Sequence, residues 1–243
     1  MSGILQFETI ATASHRASLR PMKPEDKCAR PLPLRERKKQ RTQRALADAA
    51  LDLFSERGFE ATTLDDIVDA VEVSKRTFFR YYASKEDVAL AAETELWSAY
   101  IERLKDRAFR GSVLRTLREA LTETLQAMDE NWDMRFIRTR AVAAHARSSV
   151  LYDHSELTSL RAQRRLVEVL EYKIGIDGRE DVRLRMLGEF ALAAWRCGAK
   201  NWVAGRGEGG RGERGHGGRE TLICRVEEAF DAIPASLELS ASG

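Results

Sequence analysis

Two short segments in close succession, one opened by Thr63 and the other by Ser74, decide much of what this 243-residue chain can become. In the first, Thr62 and Thr63 precede LDDIVDAV, where Leu64, Ile67 and Val71 form one stripe and an acid follows the cap by three residues, a helix-start signature. In the second, Ser74 caps a helix expected over 75–82, and Val73 and Phe78 occupy the two positions of a hydrophobic staple. Glu72 and Val73 leave room only for a tight turn between them. Helices of about eight residues are not stable alone, so both must pack on a neighbour. The neighbour is a helix expected over 34–57, in which Leu46, Ala49, Ala50, Leu53 and Phe54 recur at three- and four-residue spacing up to Gly58. Helix, short helix, tight turn, short helix is the spacing of a helix-turn-helix.

The stretch VSKRTFFRYYASKE, from Val73 to Glu86, mixes basic and aromatic side chains on the second short helix. Phe78 and Tyr82 lie one turn apart on the staple's side and are expected in the core. Lys75, Arg76, Thr77, Phe79, Arg80 and Tyr81 are left for an exposed face. Such a face suits a DNA major groove: Lys75 and Arg76 reach base-edge acceptors, notably those of guanine, while Ser74, Thr77, Tyr81 and Lys85 serve phosphates. The starts of both short helices offer backbone N–H groups to phosphates as well. Upstream, Arg35, Arg37, Lys38, Lys39, Arg41 and Arg44 face only Glu36, the strongest local basic field in a chain whose net charge is just +2. A solvated helix end explains a charge run taken alone; beside capped helices at this spacing it reads as a contact along the DNA backbone or into a minor groove, with Arg41 and Arg44 its candidates.

The remainder reads as helix throughout. Ser84, with Asp87 three residues on, caps a helix to about Ala108 with the stripe Leu90, Trp97, Ile101 and Leu104, and Gly111 ends it. Further helices are expected at about 112–129, 133–147, 155–174 (capped by Ser155, stopped by Gly175), 180–204 and 219–233. Residues 1–33 carry four of the five prolines and no periodicity, and read as a disordered tail, with Met22 an alternative start. Residues 205–218 read as a flexible Gly-rich loop. It satisfies GxGxxG twice, but it follows a helix with no βαβ pattern, so a dinucleotide site is rejected; Arg206, Arg211, Arg214 and Arg219 leave it a weak nucleic-acid contact. No apolar run approaches the roughly 18 residues of a membrane span, and no signal segment opens the chain, which is expected to be cytoplasmic. Cys28, Cys197 and Cys224 are far apart and expected to be reduced thiols.

Residues from about Arg35 to Val88 resemble the DNA-binding domain of the TetR family of bacterial transcriptional regulators. The resemblance rests on ALDLFSERGFEATTLDDIVDAVEVSKRTFFRYYASKEDV: Phe54 with Gly58, the Thr62–Thr63 pair, Ile67, and VSKRTFFRYYASKE. It implies a dimeric repressor whose third helix reads a palindromic operator on double-stranded DNA. It implies DNA contacts at Thr63, Lys75, Arg76, Thr77, Phe79, Tyr81 and Lys85, to which the charge and capping argument adds Arg41, Arg44, Thr62, Ser74 and Arg80. Two positions depart from the family pattern: Glu72 stands where glycine is usual, and Phe79 where a tyrosine commonly meets a phosphate.

The expected fold is therefore all-α: an N-terminal three-helix helix-turn-helix domain, 34–83, followed by a larger helical ligand-binding and dimerisation body, 84–243. The resemblance implies that the last two long helices dimerise and that the body holds a small-molecule effector, expected to be lipophilic. Candidates for that pocket are Trp97, Tyr100, Leu125, Met128, Trp132, Phe136, His145, Tyr152 and Trp195, large groups with a few polar ones. The same residues are what any helical core needs. No metal or other cofactor is expected, since His145 and His154 have no carboxylate at ligand spacing. No catalytic motif stands in a plausible context, which disfavours an all-helical enzyme. A DNA-binding regulator without a small-molecule ligand remains the alternative.

Overall fold

The computed structural model describes residues 33–146, 149–205 and 217–240; the expected tail, the central part of the Gly-rich loop and Cys28 lie outside them. Ten helices follow in order: α1 (Leu34–Arg57), α2 (Leu64–Ala70), α3 (Lys75–Phe78), α4 (Lys85–Ala89), α5 (Ala91–Asp106), α6 (Val113–Ala127), α7 (Trp132–His145), α8 (Val150–Ile174), α9 (Val182–Val203) and α10 (Arg219–Leu237). The described residues contain no strand, so the all-α reading stands.

Local chemistry sets most boundaries. Thr63 caps α2 through a reciprocal box, its hydroxyl accepting from the Asp66 N–H while the Asp66 carboxylate accepts from the Thr63 N–H at 2.8 Å. Ser74, Ser84, Ser112 and Asp181 each accept a backbone N–H at the starts of α3, α4, α6 and α9. Gly175, left-handed at φ 75°, stops α8.

Four expected boundaries are corrected. The third helix ends at Phe78 instead of 82: the N–H groups of Arg80 and Tyr81 turn to the carbonyls three residues back, Thr77 and Phe78, and convert the last turn into a tighter one. The long fourth helix is two helices, α4 and α5, broken at Leu90, whose ψ of 18° leaves the helical basin. Ser155 caps nothing; α8 starts at Val150, and the Ser155 hydroxyl is buried and donates to Glu93 at 2.8 Å. The last helix carries Pro234 and continues to Leu237.

Side chains of α7 hold the break at Leu90. Thr139 Oγ1 donates to the Ala89 carbonyl at 2.8 Å, so that carbonyl, released by the break, is not left unpaired, and Trp132 Nε1 donates to the Ala92 carbonyl in the first turn of α5 at 3.0 Å. Two apolar cores lie on either side. The first joins Leu46, Leu51, Phe54, Ile67, Phe78 and Tyr82 to Val88 and Ala89 of α4, and draws in Val142 and Leu151 from the body. The second is built by α5 to α10 around Trp97, Tyr100, Trp132, Trp195 and Trp202. At Gly198 the two final long helices nearly touch: a Cβ there would lie 2.7 Å from the Val226 Cα. Among the described residues no helix is long and apolar enough to cross a membrane.

Candidate nucleic-acid interface

The short helix α3 is held from below. Phe78 is fully buried, Tyr82 is nearly so, and the Tyr82 hydroxyl donates to the Gln43 carbonyl of α1 at 3.0 Å. Burial raises the Tyr82 pKa well above the usual phenol range, so this donor keeps its proton at any physiological pH. Above this floor Ser74, Lys75, Arg76, Phe79 and Arg80 are exposed and Thr77 is half-buried. The Ser74 and Thr77 hydroxyls lie 3.1 Å apart, and Lys75 Nζ sits 2.8 Å from Asp65 of α2, a solvated pair that a phosphate can displace. No described residue bonds to the Arg76 guanidinium. The Arg80 guanidinium lies over the Tyr81 ring at 5.0 Å and donates to its hydroxyl. Phe79 exposes 55% of its surface and offers apolar contact only.

Other expected contacts are committed elsewhere. Thr62 is buried, donating to the Gly58 carbonyl at 2.8 Å, so it shapes the α1–α2 turn. Thr63 is occupied by the α2 cap; its hydroxyl and N–H hold the Asp66 carboxyl below the usual range. Lys85 Nζ donates to the Phe59 and Thr62 carbonyls at 2.7 and 2.9 Å, above the Phe59 ring. Lys85→Ala should therefore appear first in thermal melting, as a loss of about 1–3 kcal/mol from unpaired carbonyls. An unchanged melting temperature with a flattened salt dependence of DNA binding would instead make it a phosphate contact.

Arg44 turns from the expected DNA side toward the body, 3.8 Å from Glu95 and 3.5 Å from Asp129, because it shares its face of α1 with Ala47 and Leu51. Arg41, one turn earlier, stays exposed. Arg219 is likewise anchored, 3.0 Å from Asp133 and donating to the Met128 and Asp129 carbonyls; the other three loop arginines lie outside the described residues.

Glu72 is the one non-glycine with positive φ among the described residues, at 55°, in the turn between α2 and α3. The left-handed region costs about 1–2 kcal/mol for a residue with a Cβ, against about 0.5–1 kcal/mol of extra chain entropy for glycine. Glu72→Gly should raise stability by up to about 1 kcal/mol and, removing an exposed acid beside α3, tighten DNA binding. A lower melting temperature, or weaker binding in a gel shift, would contradict this.

The expected pocket residues do not gather around one cavity. Tyr100, Leu125, Trp132, Phe136 and Trp195 are buried against one another, with Trp132 and Phe136 stacked at 5.3 Å and the Tyr100 hydroxyl donating to the Leu117 carbonyl. Met128 is half-buried at their edge, while His145 and Tyr152 are exposed. Trp97 alone of the nine lines a cavity of about 540 Å³ between α1, the turn after α3, α5 and α8. Beside it lies an ion-pair cluster that sequence reading missed. Buried Arg135 of α7 meets Asp129 at 2.7 Å and Glu95 at 2.9 Å; burial is the largest single influence on the Asp129 carboxyl and raises it, but Arg135, the Asn131 N–H and Arg44 together outweigh it and hold the carboxyl below the usual range. His154 of α8 meets Asp87 of α4 at 2.6 Å, and buried Glu93 of α5 receives Ser155 and Arg140, with burial pushing its carboxyl up. Asp129 and Arg135 are six residues apart, but the other partners lie 40 or more residues apart in the chain and leave no periodic signal. Among the described residues no three potential metal ligands cluster.

Residues 46–92 match the family described as bacterial regulatory proteins, tetR family, a span from α1 into the start of α5. The chain is also 30% identical over 177 residues to the HTH-type transcriptional regulator TcmR of Streptomyces glaucescens, covering 70% of this chain and 76% of that one. This chain belongs to the TetR family. It is a DNA-binding transcriptional regulator. A shorter match within the family, 34% identical over 59 residues, is to the HTH-type negative transcriptional regulator IcaR of a Staphylococcus epidermidis biofilm operon, spanning 24% of this chain and 32% of that one. A solved TetR/AcrR-type transcriptional regulator from Aquifex aeolicus aligns with 79% of this TetR-family chain and 99% of its own, at 16% identity and a TM-score of 0.46.

Proposed function

We propose that this TetR-family regulator is a homodimeric repressor, released from a palindromic operator by a small-molecule effector. The observation that carries the reading is α3: capped by Ser74 and pinned through buried Phe78, it exposes Arg76 with no described partner. Arg76 reads base edges. Lys75 joins it once Asp65 gives way, Arg41, Ser74, Thr77 and Arg80 meet the backbone, and Phe79 adds apolar contact beside them. Thr62, Thr63, Tyr81, Arg44 and Lys85 act from behind, fixing the unit that carries them. Repression draws support from the name of IcaR as a negative regulator.

Dimerisation through α9 and α10 is supported by their close crossing at Gly198 and by the exposed Val182, Met186, Ala193 and Cys197 on one face of α9, which Glu189 interrupts. Two copies would then hold their α3 helices about 34–36 Å apart, one turn of DNA. The test is selection of bound sequences from a random DNA library, followed by sedimentation of the free protein and of the complex. The expected result is an inverted repeat bound by a dimer; a single asymmetric half-site bound by a monomer would overturn the reading.

A further inference from the structure

We propose that the 540 Å³ cavity between the DNA-binding unit and the body is a ligand site for a flat, largely apolar anion of small-molecule size, gripped by Arg161 and Arg165 of α8. The inference rests on the effector-release reading above and supplies what that reading lacks, a place and a ligand class. The volume lies within the range of about 300–1,000 Å³ typical of small-molecule sites. Ala47, Tyr81, Trp97, Ile101 and Ala162 supply its apolar wall, and the rings of Tyr81 and Trp97 favour a flat molecule.

Charge decides the sign of the ligand. Four guanidiniums line the cavity, those of Arg44, Arg135, Arg161 and Arg165, against the carboxylates of Asp87 and Glu95. Both carboxylates are taken: His154 meets Asp87 at 2.6 Å, and Glu95 is shared between Arg135 at 2.9 Å and Arg44 at 3.8 Å. Arg44 and Arg135 share Asp129 as well. No described carboxylate lies within ion-pair distance of Arg161 or Arg165; Arg165 acts only at longer range on Glu102, whose own partner is Lys105. The two arginines stand four residues apart on one face of α8, where like charges repel. An acidic group between them relieves that repulsion and forms charge-assisted hydrogen bonds; a neutral ligand does neither.

Position supplies the consequence. The cavity is bounded on one side by α1 and the Tyr81–Tyr82 turn that follows α3, and on the other by α5 and α8. A ligand here touches both the DNA-binding unit and the body, and shifts α3 only in so far as it favours one arrangement of the two. The aromatic cluster around Trp132, by contrast, is filled by its own rings.

The test uses two dyes that differ by one acidic group, 8-anilinonaphthalene-1-sulfonate and neutral N-phenyl-1-naphthylamine, titrated by fluorescence into the full chain without DNA. The sulfonate is expected to bind saturably, one per chain, and roughly tenfold tighter than the neutral dye. Arg161→Gln with Arg165→Gln should bring the sulfonate down to the neutral dye's affinity, leave the neutral dye unchanged, and leave operator binding intact because neither arginine is on the α3 face. Equal affinities for the two dyes, an unaffected double variant, or no saturable binding would each overturn the site. Operator binding measured with and without the sulfonate keeps the two readings apart: a dye that binds as expected without weakening the DNA complex supports the site and counts against occupancy of this cavity as the step that releases DNA.

Discussion

Arg76→Ala weakens operator binding by about 1–3 kcal/mol, roughly 5- to 150-fold, and relaxes base preference at the position that Arg76 reads. The melting temperature should not move, because Arg76 is exposed and no described residue depends on it. The contrast with its neighbour sharpens the expectation. Lys75 begins from an ion pair with Asp65, so part of what it gains from DNA is offset by the pair it breaks. Gel shifts on the selected operator and on single-base variants give both effects at once. A uniform loss across all sequences would assign Arg76 to a phosphate instead.

Trp132→Ala is the largest stability change expected, a loss of about 3–5 kcal/mol. Trp132 is fully buried, stacks on Phe136, and donates to the Ala92 carbonyl just past the break at Leu90. Alanine would leave a cavity and remove the bond that ties α7 to the first turn of α5. Trp132→Phe keeps most of the packing and removes only the donor, so a smaller loss of about 0.5–1.5 kcal/mol is expected. Thermal melting of the two variants separates packing from hydrogen bonding; a melting temperature for Trp132→Ala equal to the wild type would show that the ring is not structural.

What could be read in the sequence was what is local. Thr63 with Asp66, Ser74 with Thr77 and Gly58 after Phe54 act within one turn of themselves, and the caps they predict are the caps observed. The sorting of Phe78 and Tyr82 from Arg76, Phe79 and Arg80 also followed from helical period alone. Failures came where a distant partner decides. Arg44 belongs to a basic run, yet carboxylates at positions 95 and 129 turn it inward. Lys85 looks like a phosphate ligand until the Phe59 and Thr62 carbonyls take two of its donors. The break at Leu90 has no glycine or proline to announce it, because its stability comes from Thr139 and Trp132 of α7. The aromatic residues proposed for a pocket carried the composition of one, and composition cannot tell a cavity from the side chains that fill it.

The ties between α1 and the rest of the chain include Arg44 with Glu95 and Asp129, and Arg138 with Asp52. Arg44 and Asp52 are largely open to solvent, so dissolved ions screen these pairs. Ionic strength therefore acts twice on this regulator. It competes for the phosphates that Arg41 and Arg80 would meet, and it loosens the seating of the helix that orients them. A plot of log affinity against log salt should then steepen at high salt instead of keeping the constant slope that counterion release alone produces.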